Sequence, residues 1–68
     1  MKLTDANELL ARLQGMDGAN MQYQIDWWGK GRINEAIRTV FARHSATASE
    51  VARAASVEDN VLRLTYSL

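Results

Sequence analysis

Two eight-residue segments alternate apolar and polar residues with period two: 21–28 (MQYQIDWW) and 61–68 (VLRLTYSL). Successive side chains of a strand point to opposite faces, so this spacing predicts two strands, each with one buried and one wet side. Met21, Tyr23, Ile25 and Trp27 fall on the dry face of the first; Leu62, Leu64, Tyr66 and Leu68 on that of the second. Gln22, Gln24 and Asp26 form the wet face of the first, closed out of pattern by Trp28.

Between and before these segments the spacing is helical. Leu3, Ala6, Leu9, Leu10, Leu13 and Met16 form one stripe, giving a helix over about 4–15 that Thr4 or Asp5 can cap and Gly15 can end. Gly15-Met16-Asp17-Gly18 reads as a turn and Gly29-Lys30-Gly31 as a flexible break. Ile33, Ala36, Ile37, Val40, Phe41 and His44 make the strongest helical stripe in the chain, with Glu35 and Arg38 spaced to pair on its outer side. Thr47-Ala48-Ser49-Glu50 has the form of a capping box and predicts a short helix, ending near Ser56, with Ala48, Val51, Ala52 and Ala55 inward. The expected order is α-β-α-α-β, an α+β domain spanning 1–68 with a two-stranded antiparallel sheet packed on helices. Setting Trp28 opposite Val61 places Asp26 against Arg63, Gln22 against Ser67, Trp27 against Leu62 and Tyr23 against Tyr66, an arrangement with an ion pair on one face and apolar pairs on the other.

Sixty-eight residues with no cysteine and one histidine rule out disulfides and thiolate chemistry, and leave no basis for a zinc site. No metal and no cofactor is expected. Chains this small usually need help from cross-links, metals or self-association. With the first two gone, a homodimer through an open strand edge or the Trp28 face is expected. Eight basic residues balance eight acidic ones, a poor footprint for nucleic acid. No apolar run approaches the ~20 residues of a membrane span, and the N-terminus lacks the apolar stretch of a signal peptide. The cytoplasm is therefore the expected compartment.

Catalysis is not expected. His44 falls at the C-terminal turn of a helix, where a histidine caps carbonyls or meets the helix dipole. Gly29-Lys30-Gly31 lacks the spacing of a phosphate-binding loop. Residues 49–57 resemble the first half of a helix-turn-helix, with Ala52 at the tight crossing and Val57 after the turn. The resemblance implies a small DNA-binding regulator using residues 47–68. Ser56 stands where glycine is usual, and a recognition helix beginning Glu58-Asp59-Asn60 would present carboxylates to phosphate.

The reading these residues favour is a non-catalytic protein-binding module that occupies a partner's surface. Small phage- and mobile-element-encoded inhibitors of host systems, anti-CRISPR factors among them, fit that size and composition. Tryptophan and arginine dominate interface hot spots. The expected partner-binding residues are Trp28 with Val61 beside it, rimmed by Arg63 and Lys30, and Arg32 and Arg43 on the outer flank of the central helix.

Overall fold

The computed structural model describes residues 1–66, and for Tyr66 the backbone alone. Among the described residues there are four helices and no strand: α1 (Leu3–Leu13), α2 (Gly18–Trp28), α3 (Lys30–Ala42) and α4 (Ala48–Tyr66). The α+β expectation is therefore corrected to an all-helical fold. The antiparallel pair does not exist. Asp26 accepts from Gln22 one turn back on α2 (3.0 Å), and Arg63 pairs with Asp59 one turn back on α4 (3.0 Å). Tyr66 ends α4, so its strand pairing with Tyr23 does not form either, and the pairing drawn for Ser67 lies outside the described residues, as does Leu68.

The two alternating segments fold as helices because a second periodicity runs through each. Met21, Ile25 and Trp28 recur at i, i+4, i+7, and it is these that turn toward the core. Tyr23 and Trp27, which the strand reading would bury, stand 63% and 72% exposed. On α4 the inward stripe is Ala54, Val57, Val61 and Leu64. Leu62 sits on the outer side at 45% exposure, and Val51, Ala52 and Ala55 also face out. Glu58-Asp59-Asn60 lies inside α4 and does not open a separate recognition helix. Glu58 pairs with Arg38 of α3 (3.4 Å) and Asp59 with Arg63, so the polar run belongs to the accessible side of one continuous helix.

Each junction has a local cause. Lys2 stands at the N-cap of α1 without a side-chain cap, and Asp5 lies in the first turn, where a carboxylate favours the helix dipole. Gly15, at φ 83°, turns the chain out of α1. Asp17 caps α2, its Oδ1 accepting from the Asn20 amide at 2.8 Å. Gly29 alone joins α2 to α3, with φ 82° and ψ 142°. Lys30 and Gly31 already belong to α3. The Thr47–Glu50 capping box forms as the sequence predicts: the Thr47 amide donates to Glu50 Oε1 (2.8 Å) and the Glu50 amide to Thr47 Oγ1 (3.1 Å).

The core joins Ala6, Leu9, Leu10 and Leu13 of α1, Met21 of α2, Ile33, Ala36, Ile37 and Val40 of α3, and Ala54, Val57 and Val61 of α4. Central α3 supplies a fully buried stripe, as its spacing predicts. Phe41 and His44 depart from that expectation: Phe41 is 39% exposed, one position round the helix from Val40, and His44 is exposed beyond the end of α3. No polar or charged residue among those described is buried.

Candidate functional site

α1 and the α2–Gly29–α3 elbow leave a groove of about 610 Å³ between them. Met1, Leu9, Trp27 and Trp28 supply its apolar surface; Asp5, Glu8, Arg12 and Arg32 supply its charge. The chain builds it simply. Gly29 ends α2 directly after the two tryptophans and restarts the helix at once, so Trp28 and Arg32 come together across a one-residue joint. Asp5, Glu8, Leu9 and Arg12 follow at steps of three and four residues, which puts them along one side of α1.

The two tryptophans differ. Trp28 is half-buried and packs against the core, while Trp27 is mostly in solvent. The anchor expected at position 28 is thus a partly structural residue, and its neighbour offers the larger free apolar surface. A sequence reading that assigned Trp27 to the core missed this. The signal that separates them is the 3.6-residue stripe of Met21, Ile25 and Trp28, from which Trp27 is excluded.

The groove's charges have a second distinguishing property. Among the described residues, Asp5, Glu8, Arg12 and Arg32 make no ion pair and no side-chain hydrogen bond. Every other carboxylate side chain among the described residues has a partner. Asp17 takes Asn20, Asp26 takes Gln22, Glu35 takes the Met1 ammonium (3.2 Å), Glu58 takes Arg38 and Asp59 takes Arg63. Glu50 takes Thr47 and the side-chain amide of Asn7. Arg53 donates to Gln14 Oε1 (2.8 Å) and Arg43 to the Met1 carbonyl (3.4 Å). Of the five described charged side chains without a partner, all but Lys2 line the groove where the tryptophans are.

Of the residues singled out from the sequence, the groove brings together Trp28 and Arg32. Val61 is a correction, since it is 1% exposed and belongs to the core. Arg63 lies apart, beside a smaller cleft of about 190 Å³ shared with Met16, Gly18, Met21, Asn60 and Leu64. Arg43 is held at the C-cap of α3 by its contact with Met1. Lys30, half-buried, opens α3. The helix-turn-helix read into 47–68 is also corrected. Its turn at Ser56-Val57 falls inside α4, where Val57 is fully buried. His44 is exposed in the loop between α3 and α4 and lines neither the groove nor the smaller cleft. No helix among the described residues is long and apolar enough to cross a membrane.

Comparison with protein-family models, curated proteins and solved structures finds no match to this chain.

Proposed function

We propose that the chain is a non-catalytic protein-binding module whose docking surface is the groove between α1 and the α2–α3 elbow. The observation that carries this reading is the coincidence, in one place, of a largely exposed tryptophan and four charged side chains without partners. Apolar anchors ringed by polar groups are the usual anatomy of a binding hot spot. A groove walled by helices suits a protein segment better than an extended polyanion, whose phosphates Asp5 and Glu8 would repel. Acting by occupation is also how small phage and mobile-element inhibitors work, the class that size and composition suggest.

The test compares proteins retained from a bacterial lysate by the tagged wild type, by Trp27→Ala and by Leu62→Ala. Trp27 and Leu62 are both exposed, but only Trp27 lines the groove. Trp27→Ala should leave the thermal melt nearly unchanged and weaken retention of the specific partner by 2 kcal/mol or more, on the order of a hot-spot loss. Leu62→Ala should retain it fully. Equal retention by all three would remove the groove as the docking surface.

A further inference from the structure

We infer that one occupant of this groove is a second copy of the same chain, docked about a two-fold axis with the two α1 helices antiparallel. The inference rests on the proposed role of the groove as a docking surface and names what docks there.

The argument starts from the order of the unpaired charges. Asp5 and Arg12 are seven residues apart on α1, about two turns and about 10 Å along one side of the helix. Leu9 and Glu8 lie between them. A two-fold interface brings the same patch of each copy together, so the patch must complement itself. Antiparallel apposition places Asp5 of one copy against Arg12 of the other, and the reverse pair by symmetry. The midpoint falls between Glu8 and Leu9, so both lie near the axis and the two Glu8 carboxylates approach each other there, with Arg32 of the same groove as the cation left to offset them. Parallel apposition would set Asp5 beside Asp5 and Arg12 beside Arg12, which is repulsive at both ends. The groove as a whole holds two carboxylates and two guanidiniums, so neither copy brings net charge to the contact.

The apolar part is suited to the same partner. Tyr23 lies one turn before Trp27 on α2, and both are exposed, extending an aromatic face beside the groove. A standard interface takes roughly 800 Å² from each partner, under a fifth of this chain's 4460 Å² surface. Tyr23 and Trp27, 63% and 72% exposed, add their aromatic surface to the side of α1 toward that area. A foreign partner could share the site, but its charges would have to reproduce this alternation, which a second copy does automatically.

Sedimentation equilibrium from on the order of 1 μM to 100 μM tests this, with wild type, Trp27→Ala, Asp5→Arg, Arg12→Asp and the double variant Asp5→Arg/Arg12→Asp. All three positions are exposed, so the variants should keep the fold, which far-UV circular dichroism checks in each case. Wild type should pass from 7.6 kDa to twice that mass. Trp27→Ala should stay monomeric. Each single reversal should raise the dimer Kd roughly tenfold or more, since it affects two symmetry-related pairs, and the double variant should return most of that loss. A wild type that remains monomeric throughout overturns the inference and leaves the protein-binding reading standing. A dimer that Trp27→Ala does not weaken places the contact elsewhere, and counts against the groove as a docking surface as well. Failure of the double variant to recover overturns the antiparallel arrangement.

Discussion

Gly29 and Gly31 stand two residues apart and have opposite reasons to be there. Gly29 sits at φ 82° and ψ 142°, a backbone region that only glycine occupies without strain. Gly31 is helical and open to solvent, with nothing near the place a Cβ would take. Gly29→Ala should therefore cost about 1–3 kcal/mol, whereas Gly31→Ala should stabilise by about 0.5–1 kcal/mol. Urea denaturation of the two variants checks the pair; equal effects would mean that the elbow is not held as described. The sequence made Gly29-Lys30-Gly31 visible as a break, but not that one glycine suffices to make it. The same contrast applies to neighbours on α3. Ile37 is 1% exposed and Phe41 39%. Ile37→Ala should cost about 2–5 kcal/mol, and Phe41→Ala clearly less despite the larger side chain removed. A Phe41 variant less stable than the Ile37 variant would show that the helix is rotated from this orientation.

Among the elements, α4 shows why the helical stripes were legible and the strand segments misleading. In eight residues, a helix with Val61 and Leu64 inward and Leu62 outward is hard to tell from a strand. The distinction needs Ala54 and Val57, which extend the stripe N-terminally, and a reading that stops at Glu58-Asp59-Asn60 discards them. The inward face was misjudged for the same reason. Small residues at 48, 52 and 55 suggest close packing, yet they face out, and the apolar face is fixed by the longer run of 54, 57, 61 and 64. The Thr47–Glu50 capping box, being local, was legible, whereas the α1 cap expected at Thr4 or Asp5 does not form and Lys2 stands at that N-cap without a side-chain bond. The tertiary extension of the box was not legible: Glu50 accepts from the Thr47 amide and also from the side-chain amide of half-buried Asn7, tying α1 to the start of α4. Thr47→Ala should cost about 1 kcal/mol. Glu50→Ala should cost about 2 kcal/mol, because it also leaves a partly buried amide unpaired. A double-mutant cycle of Glu50→Ala with Asn7→Ala measures the second contribution, and additivity would show that the α1–α4 tie contributes nothing to stability.

At the scale of the molecule, the described charges divide into those the fold uses and those it leaves unpaired, and the two groups should respond differently to salt. Among the described residues the core holds no polar or charged residue, so charge enters stability through pairs at the surface, of which Met1–Glu35 (10% and 56% exposed) is the least wet. Arg38–Glu58 is 72% and 29% exposed, Arg63–Asp59 75% and 60%. Pairs this wet are worth about 0–1 kcal/mol each and are screened by salt. Burial of apolar surface, by contrast, does not depend on screening. Raising ionic strength from ~0.01 M to ~1 M shortens the Debye length from about 30 Å to about 3 Å. Unfolding stability of the monomer, followed by urea denaturation at low protein concentration, should then fall by no more than about 3 kcal/mol for the three described ion pairs together. Association through the groove should weaken more, because four charges that gain partners only on docking lose their attraction while Trp27 keeps its apolar contribution. The residual, salt-resistant affinity should in turn vanish in Trp27→Ala. Stability that collapses with salt would mean that ion pairs rather than the apolar core hold the helices together. Association indifferent to salt would mean that Asp5, Glu8, Arg12 and Arg32 do not meet their partners across the contact.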